Sequence, residues 1–320
     1  MAPWVFDFHS DVLSELLKES VAAFVSGRGR GHHRHYDLAR LEAGNVRALV
    51  AALFVKDGRE EDPVVRTLRM IDAAYELEKA TAGRVRIARR AAEIESQAGA
   101  GKTALVLSIE NGLACLDRIE LLRTYWRLGV RAMGLVWNGR NAIGDGVGEE
   151  GTGSKLTPFG RKVVEEMGRL GMIVDVSHLN EPGFWDALER ARGPVVASHS
   201  NARRLCEHPR NLSDEQVAAL ARTGGVVGLN ACPSFLRADR PARIDDLAEH
   251  ALALAEASGG FDHVGIGADF DGIEFGPEGF EDPAAFPRLA ERLSARGVSD
   301  EDIEKVFSGN FLRVFREVCG

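Results

Sequence analysis

The sequence has no apolar run long enough to cross a membrane. The longest, Ala48 to Val55, covers eight residues, against the ~20 that a spanning helix needs. Cysteine is scarce as well. Cys115, Cys206, Cys232 and Cys319 lie far apart and form no CxxC pair. That spacing argues against a disulfide framework or a thiolate zinc site, and for reduced thiols. The N-terminus carries no basic segment and reaches an acidic residue at Asp7. No secretory signal is therefore visible, and a cytoplasmic location without a membrane partner is expected. Basic charge is in deficit, with 40 Lys and Arg against 48 Asp and Glu for a net charge of −8. The resulting pI of about 5.7 disfavours a nucleic-acid partner. No segment is low-complexity, and no repeat appears at periods of about 20–50 residues.

Glycine is in excess: 35 of 320 residues, about 11% against a usual ~7%. Such an excess fits many tight turns between short elements. Hydrophobic residues at 45% allow a sizeable core. Length alone is compatible with two domains of about 150 residues or with one α/β barrel.

The recurring unit is a short β-rich run followed by a helical stretch. Eight such runs stand out: Trp4–His9, Val46–Val55, Thr103–Glu110, Val130–Trp137, Met172–His178, Pro194–His199, Gly225–Asn230 and His263–Asp269. Most are continuously apolar, as expected for strands buried on both faces of a parallel sheet. Helical spacing follows over Thr67–Thr81, Pro158–Leu170 and Ser213–Ala221. Thr157 before Pro158 reads as an N-cap with proline at N1, Ser213 with Gln216 as a capping box, and Gly171 as a helix end. Eight strands alternating with helices predict a single (β/α)₈ TIM barrel over residues 1–320. A doubly wound sheet fits less well, because no GxGxxG follows the first strand. The basic stretch Gly27–His35, with His32, His33 and His35, reads as a solvated or substrate-covering loop rather than a metal site.

Chemistry concentrates where a barrel places its active site, at the C-terminal ends of the strands. His9 and Asp11 close the first run, and their i, i+2 spacing puts them on one side of an extended chain. Glu110 ends the third run, His178 the fifth, His199 the sixth and Asp269 the eighth. Three imidazoles and three carboxylates at one mouth leave like charges uncompensated unless cations join them. The donor set suits Zn²⁺ or a similar divalent ion, two ions fitting better than one, with a shared glutamate as bridge. Asp175 reads as a buried hydrogen-bonding group, His250 as a helix-surface or packing residue, and Asn310 as the cap of the final helix.

At these residues the segments DFHSDVL, LVLSIENG, LTPFGRKVVEEMGRLGMIVDVSH, PVVASHSNARRLCEHPRNL, HVGIGADFDG and SGNFLRVF resemble the renal (membrane) dipeptidase family of metallopeptidases. That family is similar to other binuclear hydrolases of the amidohydrolase type, and the likeness runs from about residue 5 to 316. It implies a (β/α)₈ barrel and two Zn²⁺ ions per chain. His9 and Asp11 would hold one ion, His178 and His199 the other, with Glu110 between them. It also implies that Asp269 moves the proton of the bridging hydroxide and that Arg210 grips the substrate's C-terminal carboxylate. The substrate would be a dipeptide, including L-D pairs.

Two positions depart from the family pattern. Trp137 stands where many relatives carry a histidine that bonds the substrate carbonyl, which makes Trp137 a substrate-binding candidate of a different kind. An indole donates one hydrogen bond but cannot ionise or accept, so carbonyl stabilisation from that side would weaken, or pass to Asn138, Arg140 or a zinc. Ala231-Cys232-Pro233 leaves a smaller wall where relatives often have an aromatic pair. These departures keep two alternatives open: an amidase or deacylase acting on N-acyl amino acids or cyclic amides, and a metal-binding homologue without turnover. The number of subunits is open, a homodimer included.

Overall fold

The computed structural model describes residues 3–27, 34–58, 61–149 and 151–320. His32 and His33 of the basic loop lie outside the described residues. Among the described residues there are nine parallel strands: β1 (Val5–Ser10), β2 (Val46–Phe54), β3 (Val85–Ile87), β4 (Thr103–Glu110), β5 (Val130–Gly134), β6 (Ile173–Asp175), β7 (Val195–Ala197), β8 (Val226–Leu229) and β9 (Val264–Ile266). β1 pairs with both β2 and β9, β2 pairs with β4, and β4 through β9 pair in order. Eight strands thus close a (β/α)₈ TIM barrel, as the alternating pattern predicts.

The ninth strand, β3, is an addition that the apolar runs do not reveal. β4 gives one edge to β2, and its other edge is shared. β5 takes Leu107–Ile109 of that edge, while β3 takes Thr103–Leu105 nearer the barrel floor. A three-residue strand carries too little alternation to stand out from its surroundings.

Alternation decides which side chains face inward. Ala48 and Val50 of β2, with Ala104 and Val106 of β4, share one buried cluster with Phe6, Phe8 and the final helix, Asn310–Cys319. Leu49, Leu53, Leu105 and Leu107, between them, pack in the larger cluster against the outer helices. Phe311 of the final helix stacks on Phe8 at 3.9 Å with the rings 5° apart, filling the floor of the barrel. The inward row of β4 continues from Val106 through Ser108 to Glu110. The same periodicity that fills the floor therefore delivers a carboxylate to the mouth.

The helix signals hold where the pattern places them. Thr157 Oγ1 accepts from Gly160 N at 2.9 Å, and the helix spans Pro158–Leu170 with Gly171 left-handed at φ 67°. Ser213 and Gln216 form the capping box of the helix Asp214–Arg222. The stretch read from Thr67 begins earlier, at Pro63, because Asp62 caps Val64 and Val65 and proline occupies the first turn. Among the described residues no helix is long and apolar enough to cross a membrane.

Asn310 does not cap the final helix. It is the first residue of that helix, and its Nδ2 donates to Phe261 O and Val264 O, both at 2.7 Å. Its side chain ties the helix to the entrance of β9. Asn310→Ala should remove one donor from each of these carbonyls, Phe261 O keeping that of Val264 N, and cost about 1–3 kcal/mol. Urea unfolding measures this, and a loss below about 0.5 kcal/mol would contradict the tether.

Candidate metal centre

All six imidazole and carboxylate groups read from the strand ends come together at the mouth, although not all sit on strands. His9 lies within β1 and Glu110 ends β4, but Asp11, His178, His199 and Asp269 follow their strands by one to three residues. The strands are shorter than the apolar runs because the chain turns sharply to aim these groups. His178 and Asp269 adopt left-handed φ of 69° and 62°, which is uncommon for side chains with a Cβ. Backbone bonds hold both turns: Val147 N donates to His178 O at 2.8 Å, and Asp269 N donates to His9 O at 3.2 Å.

Glu110 is the centre of the cluster. Its Oε2 lies 3.3 Å from His9 Nε2, and its Oε1 lies 3.2 Å from His178 Nε2 and 4.0 Å from His199 Nε2. Asp11 Oδ2 and Asp269 Oδ1 approach His9 Nε2 at 3.8 and 3.9 Å. Three ligand-like triads result: His9, Asp11 and Glu110; Glu110, His178 and His199; His9, His199 and Asp269. Within each triad the donor atoms lie within 4.8 Å of one another.

The donor atoms fit a divalent cation. His9 Nε2 and Glu110 Oε2 are buried and form no hydrogen bond among the described residues. His178 Nδ1 meets Asn138 Oδ1 at 2.8 Å, and His199 Nδ1 meets Ser198 Oγ at 2.7 Å. A proton on each Nδ1 leaves both Nε2 lone pairs facing each other at 2.9 Å. That arrangement is repulsive alone and suited to a shared cation.

Protonation preferences agree. Burial pushes His178 down to about 3, with the Arg210 charge helping, and it pushes His199 well below its ordinary value. Both rings are thus neutral donors. Burial would also lower His9, but Glu110 and the neighbouring carboxylates outweigh it and hold His9 near 10. Burial raises Asp11, and the Glu110 charge adds to the effect. Asp269 is raised to about 6, chiefly by burial. Crowded acids beside one protonated imidazole indicate a site short of positive charge.

The other candidates occupy the rim. Arg210 is buried, donates from Nη2 to His199 O at 3.2 Å, and lies over the Phe235 ring at 5.6 Å. Its Nε is buried without a hydrogen-bond partner among the described residues. Trp137 stands half-buried beyond β5, edge-on to Phe54 at 5.2 Å and 6.1 Å from the His178 ring. Both Trp137 and Phe54 line a cavity of about 670 Å³ that opens onto Asp11, Glu110, His178 and Asp269.

Both polar neighbours of Trp137 already hold a partner, Asn138 through its amide oxygen. Asn138 is committed to His178, and Arg140 forms a two-pronged pair with Asp145 at 2.6 and 2.8 Å. Asp175 accepts from Ser177 N and Ser198 N and is no ligand. His250 is buried rather than on a helix surface, bridging Ala202 N and Leu236 O. His35 bonds to the backbone N of Asp271 and stacks on Phe270. The supporting residues Asn138, Ser198 and Asn230 escaped the sequence reading as partners of the cluster. Their only signal is adjacency to a candidate ligand or position at a strand end.

A closed parallel barrel with this donor set at its C-terminal mouth defines a metallohydrolase-type site. The chain matches the family described as membrane dipeptidase (peptidase family M19) over residues 2–319, and it belongs to that family of metallo-dipeptidases. It is 32% identical to dipeptidase tcpJ of Claviceps purpurea over 295 residues, 89% of this chain and 69% of that protein. A protein of Klebsiella pneumoniae, described only as an uncharacterized protein in the pqqA 5′ region, is 37% identical over 266 residues. That match covers 80% of this chain and 97% of the relative. A metallopeptidase from Rhodobacter sphaeroides, solved with a phosphinate mimic of the dipeptide L-Ala-D-Ala, superposes with a TM-score of 0.92. It is 30% identical and aligns over the whole of both chains.

Gly272 tests how closely the carboxylates are packed. A Cβ there would sit 2.4 Å from Asp269 Oδ1 and 2.5 Å from Asp11 Oδ2. Gly272→Ala should leave a folded barrel whose metal affinity falls by about 10–100-fold, as when groups orienting ligands are disturbed. Metal analysis of the purified variant checks this. A full metal complement at wild-type affinity would show that the carboxylates have room to move.

Proposed function

We propose that the chain is a binuclear zinc dipeptidase that hydrolyses the peptide bond of dipeptides, L-D pairs among them. The observation that carries this reading is the double use of Glu110, one oxygen facing His9 and the other facing His178 and His199. His9 and Asp11 would hold one ion, His178 and His199 the second, and Glu110 both. When bound, such ions supply Lewis acidity and lower the pKa of the attacking water toward neutrality.

The chain's own groups supply the rest. Asn230 Nδ2 donates to Asp269 Oδ2 at 3.1 Å, which fixes the carboxylate and leaves Oδ1 turned toward His9. From there Oδ1 can take a proton from the attacking water and return it to the leaving amine. Arg210, with a buried N–H unpaired, suits a planar carboxylate at the substrate's C-terminus. The Phe54–Trp137 wall gives the cavity an apolar side without an ionisable partner for the scissile carbonyl. The mimic bound to the Rhodobacter enzyme motivates L-D dipeptides as the first substrates to try.

That same apolar wall favours, as a second reading, N-acyl amino acids, whose acyl group needs no partner for a free amine. Turnover of a dipeptide compared with its N-acylated analogue separates the two readings. Chelation should abolish dipeptide hydrolysis and added Zn²⁺ should restore it, with about two ions per chain at full recovery. Asp269→Asn should retain its metal yet lose at least about 10²-fold in kcat. Hydrolysis at the wild-type rate in that variant would remove Asp269 from the proton path.

A further inference from the structure

Beneath the cluster lies a buried hydroxyl with more partners than a serine ordinarily has. Ser198 Oγ lies 2.5 Å from Asp175 Oδ2, 2.7 Å from His199 Nδ1 and 3.5 Å from His9 Nδ1. Both Ser198 and Asp175 are buried. Asp175 Oδ1 accepts Ser177 N at 3.0 Å and Ser198 N at 2.9 Å, so the carboxylate is an acceptor at both oxygens. The serine proton therefore points to Asp175, and Ser198 Oγ is left to accept from the two imidazoles and from the Ser177 hydroxyl, 3.4 Å away. A ring that donates to Ser198 carries its proton on Nδ1 and presents Nε2 to the mouth.

The backbone of Ser198 is equally constrained. Its carbonyl oxygen lies 1.7 Å from where a Cβ on Gly267 would sit, so the chain just after β9 packs against it with no room for a side chain. The His9 and His199 rings lie 3.7 Å apart by centroid, inclined by 31°. His178, in contrast, is oriented from the other side by Asn138.

We propose that Ser198, held by Asp175, is a positioning residue shared by the two halves of the metal centre. It sets the tautomer and ring orientation of one histidine in each half. The inference rests on the two-ion reading above, in which His9 and His199 serve different ions. It separates Ser198 from Asn138, which serves one half alone.

Protein stripped by chelation and titrated with Zn²⁺ against a chromophoric chelator gives the number of ions and both dissociation constants. Wild-type protein should take two ions per chain. Ser198→Ala should weaken both constants by about 10–100-fold, the usual effect of losing a group that orients a metal ligand. Ser198→Thr, which keeps the hydroxyl, should recover most of that loss, and Asn138→Ala should weaken one constant only. Ser198→Ala weakening neither constant, or one alone, would overturn the shared role. Fewer than two ions on the wild-type chain would instead overturn the two-ion reading, and the shared role with it. A second measurement needs no variant to fold: ¹⁵N-histidine spectra of the zinc-loaded wild-type protein should show His9 and His199 protonated at Nδ1. A proton at Nε2 on either ring would contradict the proposal.

Discussion

An ionised carboxylate in an apolar barrel is costly unless its oxygens are compensated. Glu110 meets this constraint at the top of an inward row whose lower members, Ala104 and Val106, are wholly buried hydrocarbon. Its two oxygens are covered from opposite sides by His9 and by the His178–His199 pair. The His9 charge holds Glu110 well below the usual carboxylate range against the opposing effect of burial. Nearly every other feature of the mouth follows from keeping positive or donor groups close to this residue. Asp11 and Asp269 add two further carboxylates to a space that one protonated imidazole cannot neutralise. The charge of the cluster therefore agrees with the metal dependence of the family to which the chain belongs.

Convergence on one carboxylate also explains why the strands stop early. A strand carried to its last apolar residue would continue straight past the mouth. The left-handed turns at His178 and Asp269 redirect the chain across it instead. Such turns cost free energy of order 1–3 kcal/mol each and persist because neighbouring bonds over-determine them. Asp7 plays a comparable part at the seam of β1 and β9. Its Oδ1 accepts Ala268 N at 2.9 Å, and its Oδ2 accepts the Tyr36 hydroxyl. Burial pushes its carboxyl up to about 6. It thereby joins two strands whose ladder contributes only the Asp7–Ile266 pair.

The legibility of the fold and of the site follows the same physics. Strands buried on both faces must be continuously apolar, so runs such as VRALVAALF announce themselves, and a polar residue closing such a run is conspicuous. Glu110, His178, His199 and Asp269 were visible for that reason. β3 was not, because it covers only a short stretch of one β4 edge and needs no apolar face of its own. Nor were Ser198, Asn138 and Asn230 visible as partners of the cluster. Small polar residues are common beside strand ends, and only the folded geometry shows which of them touch an imidazole or a carboxylate. Asn310 misled for a related reason. Asparagine near a helix start suggests a cap, whereas here its amide reaches across to the carbonyls of Phe261 and Val264. Arg210 became meaningful through the family likeness alone, since an arginine in a loop has no spacing that marks it.

Within the proposed reaction, Trp137 divides the mouth into a rigid half and a permissive half. The metal side is over-determined: each candidate histidine has a partner on Nδ1, and a Cβ at Gly272 would collide with two of the carboxylates. On the substrate side, the position where the family likeness implies a histidine holds an indole packed against Phe54. The amide oxygen of Asn138 fixes His178, so any contact from Asn138 to the carbonyl falls to its Nδ2, and Arg140 is paired with Asp145. An indole at position 137 can donate but cannot ionise, so within this proposal part of the burden of polarising the scissile carbonyl would shift onto the ions. Orientation of the substrate then depends more heavily on the carboxylate clamp at Arg210. Selectivity in such a site lies less in the bond that is cut than in the group that ends the substrate.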